Sequence, residues 1–415
     1  MLGINSEKNR LYSDWKYWGS KLKTEELPNL TISEEEREVL ELAYRVCEKE
    51  IVPVRAELDE KEEFPEKIFE KFREVGFFRA MFDSKYGGMG LSRMMPFYLL
   101  EVIAERCLGV ATAFGASTRL AALPIELGGT EEQKKGYLTK LASGEFIGAF
   151  ALTEPSAGSD ISNLSTTAVK KGAKYILNGT KQWITNAGRA DIYCIFALTD
   201  RNKDPRASIS CFIVEKGWPG LSFGKLERKL GIRCSHTRQV IMEDLEVPEE
   251  NLIGLVPNKG LAQILRTLNR SRSGVAAIAV GLATGAYKEA VKYAFQREQF
   301  KQKVVHFQVI QHMLADMLTK IESARLLAYK AGRYSAVDHP DAGLFSAMAK
   351  HYASEMAMQV ATDALQIHGG YGFSREYPIE KMFRDAKILS IYEGTNQMMK
   401  NQMSAYIVKD AGRFC

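Results

Sequence analysis

The 415-residue chain has six cysteines and six histidines, yet no CxxC pair, no HExxH and no other metal-ligand spacing. A zinc site and a disulfide framework are therefore both unexpected. Cys47, Cys107, Cys194, Cys211, Cys234 and Cys415 are scattered, as reduced thiols of a cytosolic protein would be. No charge of one sign dominates: 56 basic against 51 acidic residues leave +5, and acidic runs such as Glu34-Glu35-Glu36 lie among the basic residues. That balance excludes a nucleic-acid footprint, although a basic face still suits a polyphosphate-bearing ligand or an acidic partner. The N-terminus lacks an apolar signal core and is rich in Lys, Glu and aromatics, and its acids argue against a mitochondrial transit peptide. The most apolar long run, Gly274 to Tyr287, is too short for a bilayer and full of Gly and Ala. A cytoplasmic protein with no membrane span is expected.

What is present is ordinary globular composition, 46% hydrophobic and 26% charged, in a chain too long for one core. Residues 1–30 form an aromatic-bearing extension, read as an arm or a tail. Ser33 and Glu36 then have capping-box spacing, and Val39, Leu40, Ala43, Tyr44 and Cys47 recur at helical intervals. Further helical stretches around 66–74, 95–107, 109–125 and 131–142 make 31–145 an α-helical domain. From Phe146 the pattern changes to short β-branched or aromatic runs, punctuated by turn signals at Lys171-Gly172, Asn178-Gly179 and Asn202 to Pro205. Nothing between these runs has the length of a crossover helix, so 146–258 reads as an antiparallel sandwich or barrel. In 259–415 the 3.6-residue period returns. One stripe runs Phe307, Ile310, Met313, Leu314, Met317, Leu318, Ile321 and Ala324; another runs Phe345, Met348, Ala349, Tyr352 and Met356. Gly274, Ala276, Ala277, Gly281, Ala283 and Gly285 allow a long helix to pack closely on its neighbours. The fold class is α+β, mostly α: helical domain, β domain, helical bundle.

Chemistry concentrates in three stretches. In Ile391-Tyr392-Glu393-Gly394-Thr395-Asn396-Gln397 a carboxylate stands between an apolar, aromatic run and a polar turn. Desolvation on the apolar side raises a carboxylate's pKa, which makes Glu393 a usable general base. In Phe150-Ala151-Leu152-Thr153-Glu154-Pro155-Ser156-Ala157-Gly158-Ser159-Asp160, small residues let backbone approach a ligand, with hydroxyls at Thr153 and Ser159. In Asn178-Gly179-Thr180-Lys181-Gln182-Trp183-Ile184-Thr185-Asn186-Ala187-Gly188, a large flat aromatic neighbours polar groups, as a stacked ring ligand requires. Each of the latter two, taken alone, also reads as a decorated turn.

Together these stretches resemble the acyl-CoA dehydrogenase family, flavoenzymes that oxidise acyl-CoA thioesters between Cα and Cβ. The resemblance runs from about residue 31 to about 410. It includes Leu230-Gly231-Ile232-Arg233-Cys234-Ser235, Glu243-Asp244-Leu245-Glu246-Val247-Pro248, Arg297-Glu298-Gln299-Phe300, Phe307-Gln308 and Gln366-Ile367-His368-Gly369-Gly370-Tyr371-Gly372. The absence of GxGxxG after a strand agrees with it, because this family does not hold FAD in a Rossmann unit.

The resemblance implies FAD as cofactor, with Phe150, Leu152, Thr153, Ser159, Trp183, Ile184 and Thr185 on the flavin side of the β domain. Arg297, Gln299, Phe300 and Gln308 match positions that bind the FAD of a neighbouring subunit, completed by Gln366, Ile367, His368, Gly369 and Gly370. Thr395 and Gln397 match further flavin contacts. Such a shared site implies a homotetramer, a dimer of dimers. Ser159 and Arg272 match the CoA thioester side, and Gly394 lies against the substrate. The resemblance makes Glu393 the base that removes the α-proton while the β-hydride leaves to flavin N5. The thioester carbonyl is then polarised by the Glu393 N–H and the ribityl 2′-OH. Some members carry the base just before the position matched by Arg272, and here that residue is Ser271, not a carboxylate. The helix from Gly109 to Leu123 matches the pocket-lining region, where Arg119 could hold a second substrate carboxylate or stand outward in an ion pair. Electron-transfer flavoprotein is the implied electron acceptor. An oxidase or an enoyl-CoA reductase on the same scaffold, or a catalytically silent CoA-binding protein, are the competing readings.

Overall fold

A computed structural model describes residues 32–200 and 202–409. The expected N-terminal arm over 1–30 and Cys415 lie outside the described residues. The chain divides into two units after Leu42. Of the first, the described part is the entry to helix α1 (Glu34–Glu50). Its capping box is formed as expected: the Ser33 N–H donates to Glu36 Oε2 at 3.0 Å and the Glu36 N–H to Ser33 Oγ at 3.2 Å.

The second unit, from Ala43, contains everything that follows. Its first part is helical, with α2 (Glu66–Glu74), α3 (Met95–Arg106) and α4 (Leu108–Gly128) as the principal elements. A knot of aromatic rings, Phe69, Phe72, Phe78 and Phe114, packs α2 against α4 with centroids 5.0–6.4 Å apart. Among the described residues α4 has the length and apolarity to cross a membrane, but 89% of its apolar window is buried within the protein. It widens to a π turn over Ala116–Leu120, which carries Arg119.

The sheet follows. Its strands are β1 (Gly148–Ala151), β2 (Thr167–Lys171), β3 (Lys174–Thr185), β4 (Ile192–Leu198), β5 (Ile209–Glu215), β6 (Leu221–Phe223) and β7 (Thr237–Pro248). They run in the order β1-β4-β2-β3-β7-β6, with β5 on β4. Pairs β2/β3, β3/β7, β4/β5 and β6/β7 are antiparallel, as the short connections require. The sheet is nevertheless mixed: β1 lies parallel to β4, and β2 meets β4 in parallel at Thr167 and Leu198. The chain between β1 and β4 is spent on β2 and β3, and that excursion gives it the length to return in the same direction without a crossover helix.

Asn178-Gly179, read from sequence as a turn, is instead a bulge inside β3, where the register against β7 slips between Leu177 and Gly179. Gly179 has φ 145°, and a Cβ there would meet Thr166 Cα at 2.8 Å, so close approach to the start of β2 fixes a glycine. Lys171-Gly172 is the β2–β3 turn as expected.

The C-terminal part comprises α5 (Gly260–Gln296), the hairpin of β8 (Glu298–Gln299) and β9 (Gln302–Lys303), then α6 (Gln308–Ala336), α7 (Ala342–His368), α8 (Ile379–Ala386) and α9 (Asn396–Lys409). The glycines of α5 do allow close packing. A Cβ at Gly281 would stand 2.2 Å from the Glu101 carbonyl, and one at Gly285 2.3 Å from that of Glu105, both on α3. The stripe expected on α7 is formed only in part: Ala349 and Met356 are buried, and Phe345 and Met348 are half-buried. Tyr352 is 40% exposed, and the buried face is made of Ser346, Ala347, Ala349, Ala353 and Ser354 with Lys350 among them. Small side chains let α7 lie deep between α5 and its other neighbours, with Leu344, Met356 and Val360 also buried and Tyr352 left at the rim.

Candidate active site

Glu393 lies in the loop between α8 and α9, with φ 52°, and Gly394 follows at 97°. Two successive left-handed residues turn the chain sharply, and only the second is free of steric cost. The carboxyl is half-buried. Its Oε2 accepts from Ser271 Oγ at 2.5 Å. Desolvation raises the Glu393 pKa above the ordinary carboxylate value, against the Ser271 hydrogen bond and the nearby charges of Arg272 and Lys350, which pull it down. The Glu393 N–H has no acceptor among the described residues.

Three groups hold this loop. Arg272 Nε donates to the Glu393 carbonyl at 2.9 Å, and its Nη1 reaches Gln402 Oε1 at 2.6 Å. Lys350 Nζ donates to the Gly394 carbonyl at 2.7 Å and to Asn396 Oδ1 at 3.1 Å. Thr395 Oγ1 accepts from the Met398 N–H at 3.3 Å and so caps α9. Gln397 is exposed. Burial pushes the Arg272 guanidinium down to about 10, with Glu393 opposing. Arg272, expected on the thioester side, is thus engaged with the loop itself. Lys350 was not anticipated; no local feature of Ala349-Lys350-His351 distinguishes it from a solvent-facing lysine.

The two β-domain stretches meet at a buried ion pair. Lys181 Nζ lies 2.7 Å from Glu154 Oε1 and donates to the Leu152 carbonyl at 3.1 Å. Glu154 also accepts from the N–H groups of Ser165 at 2.7 Å and Thr166 at 3.0 Å. Thr153, between these anchors, accepts from the Gln182 N–H at 2.8 Å. Burial alone would raise the Glu154 pKa, but the Lys181 charge and the hydrogen bonds from Lys181, Thr166 and Ser165 outweigh it and hold the carboxyl down at about 2. Immediately beyond this strut, β3 slips register again between Lys181 and Ile184. Trp183 is lifted out there with φ 61° and is 59% exposed, while Ile184 is buried and Thr185 pairs with Thr237. A large exposed aromatic on a strained backbone is not explained by packing. Phe150 leans on Phe196, with ring centroids 5.0 Å apart, and Ser159 is exposed on its loop.

A separate group gathers where α5 ends. Arg297 stacks over Tyr371 at 5.2 Å; Gln299, Phe300 and Gln308 are exposed on the hairpin and at the start of α6. Gln366, Gly369 and Gly370 are exposed at the end of α7, whereas Ile367 and His368 are buried. His368 turns inward, stacked on Tyr293 at 4.3 Å with Nδ1 on the Ala364 carbonyl at 2.8 Å, and desolvation lowers its pKa. Arg119 lies elsewhere again, 3.6 Å from Glu126, in a cavity of about 390 Å³ whose lining includes Phe82, Asp83, Arg93, Arg266 and Arg270 but not Glu393.

The sequence matches three family profiles: acyl-CoA dehydrogenase N-terminal domain over residues 33–145, middle domain over 149–245 and C-terminal domain over 258–408. It is 42% identical to an acyl-CoA dehydrogenase, short-chain specific, of Clostridium acetobutylicum, over 92% of this chain and all of that protein. It is 43% identical to caffeyl-CoA reductase-Etf complex subunit CarC of Acetobacterium woodii, over 91% of this chain and 99% of that one. The structure of butyryl-CoA dehydrogenase from Megasphaera elsdenii superposes with a TM-score of 0.88 at 40% identity, covering 91% of this chain and 99% of that one.

Proposed function

The chain belongs to the acyl-CoA dehydrogenase family of FAD-dependent oxidoreductases, and on that footing we infer that Glu393 is the base that removes the α-proton of an acyl-CoA thioester. The observation that carries this reading is the environment of Glu393: a half-buried carboxyl with its pKa raised by desolvation, beside a backbone N–H with no acceptor among the described residues. The first property suits a base working near neutral pH. The second suits a donor to the thioester carbonyl, whose developing negative charge makes the α-proton removable; one such donor typically contributes about 3–4 kcal/mol. Gly394 follows in the left-handed region, where a Cβ would press on Met399 Cε at 2.8 Å and on Arg272 Nη2 at 3.1 Å, so a glycine lets the loop close on its supports.

Bound FAD supplies the acceptor for the β-hydride. The residues fit the group: Trp183 offers an exposed aromatic face, Thr153 and Thr185 offer polar groups beside it, and the Lys181–Glu154 strut keeps both segments in place. Arg297, half-buried over Tyr371, and the exposed Gln299 and Gln308, all remote from these in the chain, suit the pyrophosphate of a neighbouring subunit's cofactor. The exposed Phe300, Phe373 and Tyr371 around them suit burial in a subunit interface, in keeping with a dimer of dimers. The arrangement of Arg272 makes its role loop support first, with Ser159 the freer group on the CoA side.

Electron-transfer flavoprotein as acceptor is supported by the Etf complex named for the Acetobacterium woodii relative. That same relative supports a second reading, reduction of an enoyl-CoA, which reverses the same chemistry on the same residues. Anaerobic titration of the purified yellow protein with straight-chain, branched, cyclic, aromatic and dicarboxylic acyl-CoAs tests both. Bleaching of the flavin by one class, lost in Glu393→Gln with FAD retained, is expected. Turnover retained by Glu393→Gln would overturn the assignment, and reoxidation of reduced protein by enoyl-CoA faster than by electron-transfer flavoprotein would favour the second reading. A dicarboxylic preference abolished by Arg119→Leu would bring Arg119 into the substrate site; no such preference leaves it an ion-pair residue.

A further inference from the structure

Glu393 and Gly394 each offer a carbonyl to a buried cation. Arg272 takes the first and Lys350 the second. Lys350 is the less expected of the two. It is fully buried in the middle of α7, on a face otherwise made of alanine and serine. Both its acceptors, the Gly394 carbonyl and Asn396 Oδ1, are uncharged. Asn396 Oδ1 also lies 3.0 Å from Ser354 Oγ, so the amide oxygen has a neutral donor within reach beside the lysine. An ammonium held in such surroundings carries a desolvation penalty that a methionine of similar volume avoids. Packing therefore does not account for a lysine here, whereas the Gly394 carbonyl and the neighbouring carboxylate do.

We propose that Lys350 is a positioning residue for the base, its ammonium fixing the Gly394 carbonyl from inside the bundle so that the two left-handed residues keep Glu393 turned to the substrate. The proposal rests on the reading of Glu393 as base. The charged groups facing Lys350 are Glu393 from the loop and Arg272 from α5. On α7 itself, His351 pairs with Glu355 at 3.3 Å and also feels Lys400 of α9. Burial pushes the Lys350 ammonium down to about 8, with Glu393 pulling it up and Arg272 pressing it further down. Its charge in turn favours the ionised form of Glu393. Removing that charge makes Glu393 titrate at higher pH, so the acidic limb of the rate profile moves up. In the native enzyme an alkaline limb near pH 8 is the expected signature of Lys350 losing its proton.

The test compares the FAD-loaded native protein with Lys350→Met and Lys350→Arg. Melting temperature and FAD content establish that each variant folds. For Lys350→Met, kcat on the acidic limb, at pH values where Glu393 is mostly protonated in both proteins, is expected to fall by about tenfold, for a shift of about one pKa unit, with KM changed by less than about twofold. Its acidic limb should move to higher pH and its alkaline limb near pH 8 should vanish. Lys350→Arg should restore the acidic limb even where kcat is lower. Independently of turnover, the Glu393 carboxyl is followed by ¹³C NMR in protein labelled at glutamate Cδ, its signal assigned by its loss in Glu393→Gln. A Glu393 midpoint raised in Lys350→Met and restored in Lys350→Arg supports the proposal; identical midpoints in native and Lys350→Met protein overturn it. If no acyl-CoA bleaches the native flavin, the reading of the reaction fails on that arm, while the NMR titration still decides the role of Lys350.

Discussion

Ser271 Oγ stands 2.5 Å from Glu393 Oε2, donating from α5 to the loop before α9. The position that the family resemblance marks as an alternative seat for the base thus carries a hydrogen-bond donor to Glu393, the base proposed here. Two carboxylates so close could not both be ionised; a hydroxyl instead stabilises the ionised form of one. Desolvation raises the Glu393 pKa, and Ser271 is the foremost of the groups that limit the rise.

Ser271→Ala should therefore raise the Glu393 pKa further. A hydrogen bond to a charged group is worth about 1.5–3 kcal/mol, or roughly one to two pKa units. The acidic limb of kcat against pH should move upward by that amount, with rates converging at high pH, where Glu393 is ionised in both proteins. An unmoved limb would show that the hydroxyl does not act on the base.

The same shift predicts how stability depends on pH. A carboxyl whose folded pKa lies above its unfolded value contributes stability that is fully present below the unfolded pKa and is lost as pH rises through the folded one. Glu393→Gln has no such loss. Its melting temperature should match the native protein's near pH 4 and exceed it at pH 8, measured on FAD-loaded protein. A gap of equal size at both pH values would contradict the raised pKa.

The family motifs made Glu393 legible, since its neighbours in sequence are also its neighbours in function. Its supports were not, because they arrive from far along the chain: Ser271 and Arg272 from α5 and Lys350 from α7. A lysine within an amphipathic stretch reads as solvent-facing, yet this one lies on the face that α7 buries among its neighbours and meets the 391–396 loop there. Ser271 was noticed in sequence as the absence of a carboxylate, not as a donor to one. In the sheet, Asn178-Gly179 carries the local signature of a turn, and the same positive φ serves a bulge. The choice was made by Thr166 pressing on Gly179, a contact the local pattern does not contain. His368 sits within the flavin-loop motif, yet its ring is occupied by Tyr293. Motif membership marked the loop without saying which side chains face outward.

The Lys181–Glu154 pair predicts the largest loss of stability. Both side chains are essentially sealed from solvent, so Lys181→Met strands a carboxylate that still accepts from Ser165 and Thr166 but has lost its counter-charge. Breaking a buried pair by removing one partner typically costs about 3–5 kcal/mol, whereas replacing both is often close to neutral. Lys181→Met should lower the denaturation midpoint accordingly, and the double variant Lys181→Met/Glu154→Gln should recover most of it. The consequence for the cofactor is separable from stability, because Thr153 and Trp183 flank the strut in sequence. Even where the double variant regains its midpoint, FAD should dissociate faster, measured by flavin fluorescence on dilution, since Leu152 and Lys181 no longer tie the two segments together. Unchanged FAD retention in the double variant would assign the pair to folding alone.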